Sequence, residues 1–417
     1  MQNIIIDKPY RFVPPHQGRI WARILGLWLP HQLQRQYGLT TAEYRGAEHL
    51  EQSLAAGYGI LLASNHCRSC DAMVMGLLGR RVTTPFYYMA SWHLFMQSRF
   101  KTWLLRRFGG FSVYREGMDR EALKTAINIL VEAERPLVIF PEGIITQTND
   151  RLCTLQEGTA FIARSAARKR ANTSPPGEVV VHPVVLKYFF QGDLVSSAGK
   201  VLDEIETRLT WRLQLDLPLV ERIYKIGEAL LSLKEIEYLG TAQSGDIKER
   251  LARLLDRLLC PLEKEWLGGL RGQTAIERIK RLRSAILPDL VDGDISEAER
   301  ERRWQQLAAI YLAQQVSSFP GDYIRSRPTK ERILETVERF EEGLTDQARI
   351  HRPMRVVIQV GEPLAVSPAR DKGSSEDPLM RDLAGRMESM LQGLDTEPTI
   401  LDKSVIGNFY KESTTTC

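Results

Sequence analysis

The chain has 417 residues, 43% of them hydrophobic and 26% charged, with 56 Lys plus Arg against 52 Asp plus Glu and a formal net charge of +4. That composition excludes a disordered chain and a small disulfide-stapled scaffold, and so mild a basic excess gives no argument for nucleic acid as a partner. Five cysteines (Cys67, Cys70, Cys153, Cys260 and Cys417) without a paired rhythm point to a reducing compartment, and no run of 18 apolar residues occurs, so neither a signal peptide nor a membrane span is expected.

Residues 1–40 read as an amphipathic N-terminal helical segment. Ile20, Trp21, Ile24, Leu25 and Trp28 recur at helical spacing beside Arg19, Arg23 and Arg35, with Pro30 expected as a break. Such a helix fits a membrane interface or a packed position on its own domain. From residue 41 the pattern alternates: strands are predicted over 42–46, 58–66, 84–89, 136–140 and 179–185, and helices over 49–57, 71–78, 92–108, 120–134 and 159–170. The alternation predicts an α/β fold, a layered mixed sheet flanked by helices. Residues 196–350 then turn Leu-, Glu- and Arg-rich with helical period. Examples are Ile247, Leu251, Leu254 and Leu258 after an Asp246 cap, and Ile333, Val337 and Phe340 further on. Strand character returns at Met354 to Val360, and a last helix is predicted over 378–394. The organisation expected is therefore an α/β domain of 41–195 plus 351–395, interrupted by a helical insertion of 196–350 and followed by a tail, 396–417.

Four segments carry candidate chemistry. In SNHCRSCD, residues 64–71, a buried strand ends and a helix begins, which is where α/β sheets gather their sites. His66 and Asp71 lie five residues apart; with His66 in the turn, the carboxylate can reach one ring nitrogen, fix the tautomer and leave the other nitrogen as a base. The bland alternative is a structural His–Asp pair. In GGFSVYRE, Arg115 follows Gly109 by six residues and suits phosphate through its forked donors, or is a solvated surface side chain. In PLVIFPEG, Glu142 and Gly143 end a buried strand, as a site or as a plain turn. In VVVHPVVL, Pro183 suggests an edge strand or a bulge. Cys67 and Cys70 form a CxxC with no second pair at metal spacing, so no metal is expected.

Together and in this order, the segments resemble the lysophosphatidic acid acyltransferase family of glycerolipid acyltransferases. Asn65, His66 and Asp71 match its N-H-x4-D pattern, Gly109 and Arg115 its G-x5-R block, Phe140 to Gly143 its F-P-E-G block, and Pro183 its proline block. The likeness covers about 40–190 plus 354–394. It implies a glycerophosphate acyltransferase-like fold and transfer of a fatty acyl group from a thioester to a lipid hydroxyl. His66 would be the general base and Asp71 its orienting partner, with no acyl-enzyme. Asn65, Gly109, Arg115, Glu142 and Gly143 would then bind substrate. No cofactor is implied beyond acyl-CoA or acyl-carrier protein as co-substrate; the implied partners are a lysophospholipid or related acceptor and a membrane surface, with the protein cytoplasmic and peripheral. The sequence departs from the pattern in three places: Ile144 and Ile145 follow the F-P-E-G block in place of Thr and Arg or Ser, Ser112 holds the place of an aromatic, and Leu155 to Glu157 lack the usual Lys. These departures leave room for a non-phosphate acceptor or for a catalytically silent lipid or acyl-carrier binder. The helix expected over 92–108 mixes Trp92, Phe95, Phe100 and Trp103 with Arg99, Lys101, Arg106 and Arg107, which suits anionic lipid or a core-facing helix with solvated charges.

Overall fold

A computed structural model describes residues 9–394, except 175, 270–273, 319–320 and 370–376, together with Leu401 and Val405. The stretch holding Gly373 and Ser374, and the tail other than those two residues, lie outside the described residues. The first part of the chain runs α1 (Ile20–Tyr37), β1 (Leu39–Arg45), α2 (Ala47–Ala55), β2 (Gly59–Ser64), α3 (Asp71–Arg81) and β3 (Tyr87–Ser91). After a 3₁₀ turn at Trp92–Met96 come α4 (Arg99–Arg107), β4 (Gly110–Val113), α5 (Arg120–Glu132), β5 (Leu137–Ile139), α6 (Gly158–Arg170) and β6 (Val179–Phe190). Six long or medium helices and one short one follow: α7 (Leu194–Arg208), α8 (Leu219–Leu239), α9 (Ile247–Leu267), α10 (Ala275–Asp292), α11 (Glu297–Ser317), α12 (Tyr323–Ser326) and α13 (Lys330–Thr345). The chain returns through β7 (Met354–Val360), β8 (Leu364–Ala365) and α14 (Pro378–Gly393).

All eight strands form one mixed sheet in the order β1-β7-β6-β2-β5-β3-β4, with β8 also on β6. The α/β class read from the sequence is thus the observed one, and β3 and β7 share the sheet. Strand β2 is buried at every residue because both faces are covered. Ile60 and Leu62 point into a core with α1, α3, α7 and α13. Leu61 and Ala63 point into the opposite core with α5, α6 and α14. Strands β2, β3, β4 and β5 are mutually parallel, so the turns that follow them all open at one edge of the sheet. Phe190, the last residue of β6, lies opposite Met354, the first of β7, in an antiparallel register. The helical block therefore leaves and re-enters the sheet at one point. Helices α7 and α13 share the sheet's core, whereas the end of α8 with α9, α10 and α11 builds a separate apolar core around Leu254, Leu258, Leu282 and Ile310.

Four local expectations need correcting. Helix α1 continues through Pro30, because Leu29 and Leu33 on either side of it are buried and Gly76 of α3 admits the Leu29 side chain, where a Cβ would lie 2.7 Å from it. The single helix expected over 92–108 is a 3₁₀ turn and a separate α4, whose start is fixed by the Ser98 hydroxyl accepting from the Lys101 N–H. Residues 110–113, over which no strand is predicted, form strand β4, stabilised by pairing with β3 rather than by any local pattern. Pro183 sits in a central strand, not an edge. Its nitrogen faces the gap between β8, which pairs Val180 and Val181, and β7, which begins pairing at Val184, so no ladder hydrogen bond is lost there. The Pro183 carbonyl on the same side accepts from Gly361 at 2.8 Å.

Candidate active site

Asp71 opens α3 and is fully buried. Its carboxylate is met by three donors: His66 Nδ1 at 2.8 Å and the Arg68 N–H at 2.8 Å on Oδ2, and the Tyr188 hydroxyl at 2.5 Å on Oδ1. The helix N-terminus adds a favourable field for a negative charge. His66 lies in the turn after β2, as the spacing required, with its ring stacked on Phe140 at a centroid distance of 4.2 Å. With Nδ1 held by Asp71, the ring's Nε2 has no hydrogen-bond partner among the described residues, and His66 lines a cavity of about 1530 Å³.

The turn is clamped from two sides. Asn65 accepts from the Leu186 N–H at 2.8 Å and donates to its carbonyl at 2.9 Å, tying the end of β2 to β6. Glu142, at the end of β5, accepts the His66 N–H at 2.7 Å on one oxygen and the Cys153 N–H at 2.8 Å on the other. Burial pushes the Glu142 carboxyl up to about 7, against the pull of the two N–H donors. The His66 carbonyl accepts from the Thr146 N–H at 2.8 Å, so the loop after Gly143 is bound to the same turn.

The residues named from the sequence therefore divide. His66, Arg115, Glu142 and Gly143 line the cavity, and Asp71 stands directly behind His66. Two expectations of substrate contact are corrected. Asn65 is buried with its amide engaged by Leu186, and it does not line the cavity. Gly109, with φ near +100°, is required by packing: a Cβ there would lie 2.5 Å from both the Arg135 guanidinium and the Phe86 carbonyl. Glu142 lines the cavity, yet both its oxygens hold backbone donors, which makes it a positioning group. Gly143 takes φ near +73° at the turn itself. Arg115 makes no hydrogen bond or ion pair with any described residue. Ile144 and Ile145 both face the cavity. Ser112 serves the edge of β4, its hydroxyl accepting from the Val13 N–H at 2.8 Å.

Sequence reading missed Tyr188, whose hydroxyl completes the Asp71 shell across 117 positions of chain, and it missed the contribution of α13. Arg68 pairs with Glu338 at 3.4 Å, Arg339 donates to the Thr146 carbonyl, and Arg332 bonds Asp150 at 3.0 Å. Burial disfavours a charged Arg68, but Glu338 and Glu335 outweigh it and hold the guanidinium protonated. No sequence signal pairs these residues, since they lie 182 or more positions apart. The thiols stay protonated: burial raises Cys67 far above its usual range, Cys70 to about 12 and Cys153 to about 11. Among the described residues, no group of His, Cys, Asp and Glu is arranged to hold a metal ion.

Glu335 is buried under Tyr323, whose hydroxyl donates to it at 2.6 Å, and burial raises its carboxyl to about 8. A raised folded-state value means that the native protein binds more protons than the unfolded chain between the ordinary carboxylate range and pH 8. Stability is thus fully present at low pH and falls as pH rises through that window. Glu142 acts in the same direction up to about 7. Glu335→Gln is expected to remove the part of the decline between pH 7 and 8, read as thermal midpoint against pH. An unchanged slope would show that the carboxyl does not titrate there.

Comparison with known proteins agrees with this architecture. Residues 42–187 match the sequence model of the family described as Acyltransferase. A 1-acyl-sn-glycerol-3-phosphate acyltransferase of Streptococcus pneumoniae (strain ATCC BAA-255 / R6) is 36% identical over 81 residues, which span 19% of this chain and 28% of that relative. The family match contains the turns that build the His66 site and stops before the helical block, so the likeness to acyltransferases covers the sheet domain alone, and the chain spans well under two thirds of the relative it matches.

Proposed function

We propose that the protein transfers a fatty acyl group from a thioester donor, acyl-CoA or an acyl-carrier protein, to a hydroxyl of a lysophospholipid or glycerol-phosphate-type acceptor. The observation that carries this reading is the free Nε2 of His66 at the cavity wall, with Nδ1 fixed by the buried Asp71. Nε2 takes the proton of the acceptor hydroxyl as its oxygen attacks the thioester carbonyl. The carbon–sulfur bond then breaks, and the imidazolium, stabilised by Asp71, returns the proton to the departing thiolate. The transfer is direct: Cys67 and Cys70 are buried with raised ionisation and make poor nucleophiles, which supports a mechanism without an acyl-enzyme. Arg115 binds the acceptor's phosphate. A cavity of about 1530 Å³ exceeds the roughly 300–1,000 Å³ of a typical small-molecule pocket and suits two lipid-sized substrates.

The reaction takes place at a lipid surface. No helix among the described residues is long and apolar enough to cross a membrane. Helix α1 leaves Ile20, Ile24, Leu27 and Trp28 exposed, and α4 leaves Phe100 exposed. The two helices join through Trp21 and Trp103, whose rings meet edge to face at 5.4 Å, and Arg107 lies over both. Apolar side chains edged by arginines suit the interface of an anionic membrane. Gln97 and Lys101, on the same turn and helix, line the cavity, so the patch adjoins the route by which a lipid would enter.

Thiol release from acyl-CoA, measured with lysophosphatidic acid and with unphosphorylated lipid acceptors, tests the chemistry. The wild type is expected to release thiol in an acceptor-dependent manner, and His66→Ala to lose about 10²- to 10⁴-fold of that rate. Turnover that survives His66→Ala overturns the role of His66 as the base, and no turnover with any donor and acceptor overturns the reading in favour of a binding protein. For the surface, Trp21→Glu combined with Ile24→Glu is expected to weaken sedimentation with phosphatidylglycerol vesicles about tenfold or more. Unchanged sedimentation would remove α1 from the lipid interface.

A further inference from the structure

The helical block contributes a charged group to the cavity as well as a wall. Helix α10 places Arg283 beside Arg115: one Arg283 terminal nitrogen bonds Glu116 at 3.0 Å, the other reaches Gln314 only at 3.4 Å, and the buried Nε has no partner. Arg115, the neighbour of Glu116 in the chain, makes no hydrogen bond or ion pair with any described residue. Both arginines line the cavity that holds His66. The two guanidiniums are close enough that Arg283 lowers the ionisation of Arg115, after burial and against the opposing pull of Glu116. His93, on the same wall, is pushed down to about 4 by burial and then by Arg115, Arg283 and Lys101. Two half-buried cations thus face the cavity with one paired carboxylate, Glu116 on Arg283, and with forked donors left unengaged. Such an arrangement is unfavourable until an anion joins it, and a phosphate matches the geometry of paired guanidiniums.

We propose that Arg283, supplied by the helical block, binds a phosphate group together with Arg115, so that the block completes an anion subsite of the cavity. This rests on the acyl-transfer reading given above. The phosphate belongs either to the acceptor's headgroup or to the carrier portion of a coenzyme A thioester; the chemistry of recognition is the same. Arg283 takes the place of the cationic residues that the loop after Gly143 lacks, where Ile144 and Ile145 stand.

Steady-state kinetics of the full-length wild type, Arg283→Ala and Arg283→Lys separate the sources. The acceptors are lysophosphatidic acid and monoacylglycerol; the donors are acyl-CoA and an acyl-pantetheine thioester, which lacks the nucleotide phosphates. Arg283→Ala is expected to raise KM for the phosphate-bearing substrate about 10- to 100-fold, the loss of one charge-assisted hydrogen bond. The KM of the unphosphorylated counterpart and kcat with it stay at the wild-type value, which also shows that the variant folds. Arg283→Lys recovers part of the loss. A rise confined to lysophosphatidic acid assigns the headgroup, and one confined to acyl-CoA assigns the carrier. No rise, or an equal rise with phosphorylated and unphosphorylated substrates, overturns the proposal. Calorimetric binding of inorganic pyrophosphate decides the subsite even if the acyl-transfer reading fails: weaker binding by Arg283→Ala than by the wild type supports it, and equal binding or none by either protein overturns it.

Discussion

A carboxylate with no exposure to water must have its charge met inside the protein, and at Asp71 that requirement organises the site. Three donors from two places answer it: a ring in the turn after β2, a backbone N–H of the same turn, and a hydroxyl from the far half of β6. Each donor is then fixed by meeting the charge. The turn cannot relax without stripping Asp71 of two partners, and β6 cannot shift its register without withdrawing Tyr188. His66 inherits its orientation from this arrangement, with Phe140 against its ring and Asn65 and Glu142 holding the backbone on either side. The free Nε2 follows from the burial of its neighbour.

The second constraint is topological. Because β6 and β7 are joined through the helical block yet pair at Phe190 and Met354, the block is anchored at its root beside the site. Helix α13 is locked to the loop after Gly143 by Arg332–Asp150 and Arg339–Thr146, and to the turn that holds His66 by Arg68–Glu338. That loop holds two of the three departures from the family pattern, and its residues 146, 147, 149 and 150 bond to α13. Its departures therefore accompany a site that is walled by helices absent from the matched region. A cavity open between the sheet edge and the block joins His66 to the Arg115–Arg283 wall, with the apolar patch of α1 and α4 alongside.

How much of this was legible in the sequence follows from the range of the interactions. His66 and Asp71 lie within one turn and one helix start, so their pairing could be read from five residues of spacing. The α/β class and the helical block could be read from periodicity, since burial on two faces gives continuous apolar runs such as ILLA in β2. Strand β4 could not, because its pairing with β3 rather than its composition makes it a strand. Pro183 misled for a related reason: a missing N–H is harmless in a central strand when the neighbouring partner changes at that residue, and no local pattern shows where partners change. Asn65 and Gly109 do other work than the substrate contact the resemblance implies, one holding β6 and the other making room for Arg135. Tyr188 and Arg283 carried no sequence signal; only the fold brings them to the cavity.

The central claim is that buried Asp71 fixes His66 as a base at Nε2, and ¹⁵N NMR of His66 in histidine-labelled protein reads it directly. The account predicts that the neutral form of the ring carries its proton at Nδ1 and is bare at Nε2, with that preference lost in Asp71→Asn. A neutral ring protonated at Nε2 in the wild type, or one whose tautomer is indifferent to Asp71→Asn, would contradict it.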